Sequence, residues 1–434
     1  MQNSSVTPMF VGSPSPLAPD AGRVILTSLF SAALEAVDPL LLVPQFLPPR
    51  PRGRVVVVGA GKAAARMALA LERHWDAPLT GLVITRYGHG EPCQRIEVVE
   101  AGHPTPDEAG AQATQRICSM VKGLGRDDLV IALISGGGSS LLSAPAPGLS
   151  LGDKREVTRA LLHCGATIFE INCVRKHLSS VKGGQLAQAC GAAALMTLVI
   201  SDVPGDDPST VASGPTFPDA SLPSDALAIL QRYGITPSKP VLQVLQAAPK
   251  EQPPASMGER HHAVIACAQA ALDSAAAKAR SLGLRPIILS NSIEGEARHI
   301  GTMHAAMARQ ISDFGQPESS PSVLLSGGET TVTVAGTGRG GRNAEFLLAE
   351  LINLRGASGI WGLAADTDGI DGSEPNAGAV FGPDNWLRGQ QLGLSAQNLL
   401  ADNNAFSYFE VLGDLVITGP TRTNVNDFRA TLIL

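Results

Sequence analysis

Short apolar runs of four to seven residues recur along the chain, each closing on a glycine-rich or acidic loop, and many of these loops lead into a helical pattern. A strand buried on both faces reads as a continuous apolar run, and reaching a parallel neighbour requires a crossover, usually a helix. The repetition therefore dictates an α/β chain with mostly parallel strands. The clearest runs cover 55–58, 82–85, 129–134, 195–200, 264–267, 286–289, 323–325, 331–334, 360–364 and 415–418. At 434 residues the chain is too long for one ordinary core, so two domains are expected. Polar, proline-containing segments at 247–260 and 313–322 mark the region of the change. The expected division is a loose tail at 1–22, a first α/β unit at 23–245 and a second at 246–434. The first unit can also receive the extreme C-terminus.

Composition narrows the function classes. The net charge is −6 and no block of lysine or arginine stands out, so nucleic acid is not an expected partner. The six cysteines form no C-x-x-C pair, which argues against structural zinc or a disulfide framework and fits a reduced, cytoplasmic setting. The first twenty residues have neither a basic start nor a long apolar run, unlike a signal peptide. No clean apolar stretch of eighteen residues predicts a membrane span.

In open parallel sheets, ligands gather where strands end and loops enter helices. Five such loops carry unusual polar content. The first lies in "VVVVGAGKAAARMALAL" (55–71). A Walker A loop fails, because Gly59 is too close to Gly61 and Ala63 replaces the magnesium-binding Ser or Thr. The looser dinucleotide fingerprint G-x-G-x-x-A fits through Gly59, Gly61 and Ala64. Arg86, after the second strand, would suit a 2′-phosphate, so NADP stays as an alternative. Lys62 is expected in the first turn of a helix, where the dipole disfavours a cation; an anion sharing the site explains it.

The second loop, "SGGGSS", comprises Ser135, Gly136, Gly137, Gly138, Ser139 and Ser140, a candidate anion nest with two hydroxyl donors beside the glycines. In the third, "ISDVPGDD", Asp202 follows the strand directly and can bind a metal or act as a base, whereas Asp206 and Asp207 read equally well as solvated acids. The fourth joins "SGGETTV", with Gly328 and Glu329, to "GTGRGGRNAEF", with Arg339 and Arg342. Arg342 stands at a helix entrance and can clamp phosphate or carboxylate with two N–H groups. The fifth, "AADTDGIDGSEPNAG", holds Asp366, Asp368 and Asp371 but breaks the EF-hand pattern. In "NCVRKHLSSVKGGQLA", Arg175, Ser179 and Lys182 share a helix face that reads as an anion contact or as a solvated basic face. The histidines form no zinc cluster, and His103 reads as a loop contact or a turn residue. Neither G-x-S-x-G nor H-E-x-x-H occurs.

Taken in order, "GAGKAA", "AGHPTPDEAG", "SGGGSSLL", "NCVRKHLSSVKGGQLA", "SDVPGDDPSTVASGPT", "SGGETTVTVAGTGRGGRNAEF" and "AADTDGIDGSEPNAGA" resemble the class II glycerate kinases with a C-terminal MOFRL domain. Members are often labelled hydroxypyruvate reductases in tartrate-utilisation contexts. The resemblance implies two Rossmann-like α/β domains with a cleft between them. It implies ATP-dependent phosphorylation of D-glycerate, typically at the 2-hydroxyl, with Mg²⁺ or another divalent cation. It carries essential roles onto Lys62 and Arg342. Phosphoryl transfer needs cations and N–H donors around phosphates, a metal held by acids, and a group that orients the hydroxyl. The expected assignments follow. Lys62 and Arg342 take the moving phosphoryl group and the substrate carboxylate. The nest at 135–140, Arg175, Lys182, Gly328 and Glu329 contact substrate or phosphate. Asp202 holds the metal or orients the hydroxyl, with Asp366 and Asp368 as further metal ligands. The rival reading is an NADP-dependent hydroxypyruvate reductase. No membrane partner is expected, and a homodimer is left open.

Overall fold

The computed structural model describes residues 21–247 and 257–434. Of the tail expected at 1–22, residues 1–20 lie outside the described residues, and Ala21 already begins a helix.

The first sheet is built from β1 (Val55–Ala60), β2 (Thr80–Arg86), β3 (Ile96–Ala101), β4 (Leu129–Ser135), β5 (Ala194–Ile200) and β6 (Arg260–Ala266). Its order is β3-β2-β1-β4-β5-β6 and every pairing is parallel. β1 and β4 are buried at every position, as their unbroken apolar runs require. β6 begins with the polar Arg260, His261 and His262, yet it pairs along β5. The Arg260 guanidinium secures that edge by donating to the carbonyls of Ala187, Gly191 and Ala193. The strand pairing of the first sheet therefore runs to Ala266, past the expected division at 245/246.

The second sheet contains β7 (Arg285–Ser290), β9 (Ser322–Gly328), β11 (Ile360–Asp366), β12 (Gly378–Phe381), β13 (Leu415–Val416) and β14 (Asp427–Ile433), in the order β13-β12-β11-β14-β9-β7. Only β7 and β9 pair in parallel, so this sheet is mixed and the expectation of mostly parallel strands holds for the first sheet. β14 is central and completely buried, so the extreme C-terminus completes the second sheet and not the first. A small ribbon pairs β8 (Gly295–Glu296) with β10 (Thr330–Thr331), which is all that forms of the strand expected at 331–334.

The helix Ala21–Ala36 also belongs to the second lobe, although the sequence places it in the first unit. Its Leu26, Leu29 and Phe30 are buried, with the Phe30 ring 5.5 Å from that of Phe428 on β14. Gly22 lies against the Trp361 ring, where a Cβ would stand 2.3 Å away. Arg23 pairs with Asp414 at 2.5 Å, and the Ser274 hydroxyl donates to the Ala32 carbonyl. The chain thus starts on the second lobe, builds the first and returns. The helices Leu151–His163, Ile168–His177, Pro223–Arg232 and Lys239–Gln246 form a separate small core around Leu161, Val174 and Leu230. All six cysteines are free. Among the described residues no single helix is long and apolar enough to cross a membrane; the bent pair Ala21–Ala36 and Pro39–Phe46 passes by length and composition only.

One core acid makes stability depend on pH. Glu350 is fully buried; one carboxyl oxygen accepts from the Thr431 hydroxyl and the other has no partner among the described residues. Burial pushes its pKa up to about 8, so the fold binds a proton that the unfolded chain has released above the ordinary glutamate value of 4.5. The stabilisation is complete below that unfolded value and falls as pH rises from there through about 8, by at most ~1.4 kcal/mol per pH unit. Glu350→Gln should flatten this fall, melting above the parent protein at pH 9 and close to it at pH 5. Parallel pH slopes in thermal melts of the two proteins would refute the assignment.

Candidate active site

On the first lobe, the turn after β1 is closed by its own hydrogen bonds. The amide of Gly61 donates to the Ile84 carbonyl at 3.0 Å and that of Lys62 to the Gly136 carbonyl at 2.8 Å. The Ala63 amide donates to Ser135 Oγ at 3.0 Å. Gly61 has φ +142°, and a Cβ there would lie 2.1 Å from Ser135 Oγ. The helix begins at Ala64, so Lys62 precedes it and does not sit in its first turn. What this loop offers a ligand is therefore the Lys62 side chain. Three of its amides are committed to the protein and cannot cradle a pyrophosphate.

On the second lobe, Arg342 opens the helix Arg342–Leu354, where the dipole opposes its charge. Three carboxylates offset this. Nε donates to Asp427 Oδ1 at 2.8 Å, Nη1 to Glu329 Oε1 at 2.7 Å and Nη2 to Asp366 Oδ2 at 2.9 Å. Asp371 accepts from the amides of Asn343 and Ala344 and thereby caps the helix. Arg429, fully buried on β14, pairs with the other oxygen of Asp427 at 2.5 Å. Gly328 ends β9 at φ +117°, where a Cβ would meet the Ile293 backbone, and this turn delivers Glu329 to Arg342.

The lobes meet through these groups. Lys62 Nζ contacts Asp368 Oδ2 at 2.5 Å. The segment before β14 reaches back to the first lobe: Asn424 Nδ2 donates to Asp202 Oδ2 at 3.2 Å and Asn426 Nδ2 to the Asp202 carbonyl at 2.5 Å. Between the lobes lies a cavity of about 570 Å³, lined among others by Lys62, Arg86, His103, Arg342, Asp366 and Asp368. Gly136 forms part of the closure, since a Cβ there would fall 1.9 Å from Asp202 Oδ2 and 2.4 Å from Asn424 Nδ2. Gly136→Ala should cost about 1–3 kcal/mol of stability through overpacking and lower turnover by displacing Asp202. Thermal melting and steady-state kinetics on the same preparation check both, and unchanged values would show that the contact is not needed.

Charge sorts these residues into two kinds. Burial works against the Lys62 ammonium, yet Asp368, Asp366 and Asp202 hold its pKa above the ordinary value. Burial likewise opposes Arg342, and Asp427, Asp366 and Glu329 overcome it. Burial and the neighbouring Asp368 push Asp366 well upward, whereas Lys62 outweighs burial and holds Asp368 low. Asp202 is pushed up to about 6 by burial, aided by Glu329 and opposed by Lys62 and Arg342. His103 falls to about 4 through burial and the charges of Lys62 and Arg86, so it is neutral at pH 7.

A domain of unknown function, DUF4147, matches residues 25–246 and the MOFRL family matches residues 322–427. A D-glycerate 2-kinase of Thermotoga maritima is 39% identical over 96% of this chain and 99% of its own length. The chain belongs to the MOFRL-type glycerate kinase family. Similarity to this glycerate kinase family extends to three dimensions. A crystal structure of glycerate kinase from Thermotoga maritima superposes with a TM-score of 0.87 at 38% identity, covering 96% of this chain and all of that one. A protein of Agrobacterium vitis, 51% identical over 95% of both chains, carries a provisional hydroxypyruvate reductase name.

For a chain of the glycerate kinase family, the sequence-predicted residues divide cleanly. Lys62, Arg342, Asp366 and Asp368 line the cavity, Glu329 joins them through Arg342, and Asp202 stands beside Gly136. Arg175 and Lys182 lie behind the turn at 135–140, where Lys182 donates to Ser139. The hydroxyls of Ser135 and Ser140 serve the protein, accepting from Ala63 and donating to the Gly137 carbonyl respectively. Gly137 stands against His103 Nε2 and the Lys62 stem. Arg339 is held by Glu374 and covers the Phe406 ring, and Asp207 bonds Ser209 in its own turn. Among the described residues no group of three or more His, Cys, Asp or Glu is arranged to hold a metal. Asp427, Asn424, Asn426 and Arg429 escaped the sequence reading, as did the cavity position of His103. For the first four the one available signal was the "NVNDFRA" mixture of amides and charges beside an apolar end.

Proposed function

We propose that the chain is a cytoplasmic kinase that transfers the γ-phosphoryl group of ATP directly to D-glycerate, giving 2-phosphoglycerate, in the cleft between its lobes. The observation that carries this reading is the cavity where Lys62 faces Asp368 and Arg342 faces Asp366. Family membership supplies the substrate class. Each cation is held by carboxylates and is thus positioned for an incoming anion. Arg342 can release the arm on Glu329 most cheaply, because the Glu329 side chain is half-exposed while Asp427 is fully buried. The glycerate 2-hydroxyl oxygen forms the new bond to phosphorus as the bond to ADP breaks, and the hydroxyl proton passes to Asp202. A carboxyl raised to about 6 suits that role near neutral pH.

Asp366 and Asp368 offer hard oxygen ligands on one turn, and the upward-pushed Asp366 favours a positive partner, so the donor set fits Mg²⁺ or another divalent cation. Bound there with phosphate oxygens, such an ion would supply charge neutralisation for the donor. The reductase reading draws support from the Agrobacterium name. Against it stands the turn after β1, whose amides are already bonded. Purified protein with D-glycerate, Mg²⁺ and ATP should release ADP, and phosphorus NMR should identify 2-phosphoglycerate. With hydroxypyruvate and NADPH the absorbance at 340 nm should stay flat; NADPH oxidation without ADP release in the first assay would reverse the assignment.

A further inference from the structure

Three cations gather behind the turn at 135–140, and among the described residues none of them has a counter-charge. Lys182 is fully buried, and its Nζ donates to the Ser139 carbonyl at 2.7 Å, to Ser139 Oγ at 3.3 Å and to the Ala212 carbonyl at 3.5 Å. Lys154, on the helix Leu151–His163, is 8% exposed and its Nζ has no partner among the described residues. Arg175, on the helix Ile168–His177, is partly buried and forms no ion pair among the described residues. The adjacent Lys176 shows the ordinary solution, a salt bridge to Asp219 at 3.3 Å. Around the trio the polar groups are neutral: Ser139 Oγ lies 2.6 Å from Ser213 Oγ, which donates to Asn172 Oδ1. Asn172 and Arg175 are three apart and share a helix face.

Buried cations with no opposing charge are costly unless a ligand completes them. The cost is visible in their acidities. Burial brings Lys154 to about 7 and Arg175 to about 10, and Lys182 falls well below its ordinary value. After burial, Lys154 is lowered by Arg175 alone, and Lys182 by Arg175 and Lys154. Among the described residues no carboxylate contributes to any of the three.

The position of the trio limits what the ligand can be. Gly137 stands against Lys62 and His103, and Ser139, two residues on, touches Lys182. Their Cα atoms are at most about 7 Å apart. One short turn therefore carries both a neighbour of the trio, Ser139, and a neighbour of the cleft residues, Gly137. Three cations match a polyphosphate better than a single carboxylate.

We infer that Lys154, Arg175 and Lys182, with Ser139 and Ser213, seat the polyphosphate chain of a nucleoside triphosphate and direct its terminal phosphate toward Lys62. The choice of a nucleoside triphosphate rests on the kinase reading above; the polyanion seat itself does not. Calorimetric titration of the full chain with inorganic tripolyphosphate tests the seat without catalysis. Lys154→Met and Arg175→Gln should each weaken binding by about ten-fold or more, the loss expected for one charge-assisted hydrogen bond. In steady-state assays both should raise the KM for ATP similarly and leave the KM for D-glycerate within about two-fold. Lys154→Met should remain folded, since it removes an unpartnered buried amine. Arg175→Lys, which keeps the charge but not the fork, should bind tripolyphosphate between the parent and Arg175→Gln, and Lys154→Met carries the test if Arg175→Gln does not fold. Unchanged tripolyphosphate affinity in the variants overturns the seat. A raised KM for glycerate with an unchanged KM for ATP overturns the donor assignment in favour of a carboxylate. Arg175-dependent tripolyphosphate binding in a protein that releases no ADP with glycerate would sink the kinase reading and leave the seat standing.

Discussion

Lys62→Met should lower kcat by about 10²–10³-fold, the cost of removing one preorganised charge from a developing anion. The fold should persist, because the backbone of that turn is held by Ile84, Gly136 and Ser135 and not by the lysine side chain. Asp368 would lose its ammonium partner, and with Asp366 beside it the carboxyl pair would take up a proton more readily. The thermal midpoint should therefore move little at pH 6 and somewhat more at pH 8. ADP release under saturating substrates, with a melting curve on the same sample, measures both. Turnover near that of the parent protein would remove Lys62 from the chemistry.

Arg342→Ala should differ from this by losing stability together with activity. The guanidinium joins Asp427, Glu329 and Asp366, and removing it leaves two buried carboxylates short of a cation. Breaking a buried ion pair from one side costs about 3–5 kcal/mol, with the half-exposed Glu329 contributing little. Asp427 keeps Arg429 and Asn343, so the loss should centre on Asp366. Arg342→Lys retains the charge but cannot fork, so it should recover part of the stability and little of the turnover. Equal stability of parent and Arg342→Ala in chemical denaturation would show that the network is not structural.

The parts of this fold that could be read from sequence are those where one local pattern carries the information. β1, β4 and β11 are unbroken apolar runs ending in polar loops, and their ends deliver Lys62, the turn at 135–140 and Asp366. β14 was missed because Asp427 and Arg429 lie inside a buried strand, where they neutralise each other and brace Arg342. Sequence patterning sends such residues to the surface. Lys154 was invisible for a related reason: "GDKREVTR" looks like an exposed helix, and only tertiary packing buries its lysine. Asn424 and Asn426 reach Asp202 across more than two hundred residues, a contact that no spacing rule encodes.

The N-terminal helix has a mechanical consequence. Because Ala21–Ala36 rests on the second lobe, the chain passes between lobes at Val37 and Asp38 and again at Cys267. Asp38 is anchored on the first lobe by Arg66, while the Val37 carbonyl accepts from Thr423 Oγ1 of the returning segment. Two tethers define a line, whereas a single linker would act as a swivel. Relative movement that keeps both tethers intact is rotation about that line, so sliding and twisting of one lobe on the other are suppressed. The register between Lys62 and Asp368 is thus protected by covalent routing as well as by charge.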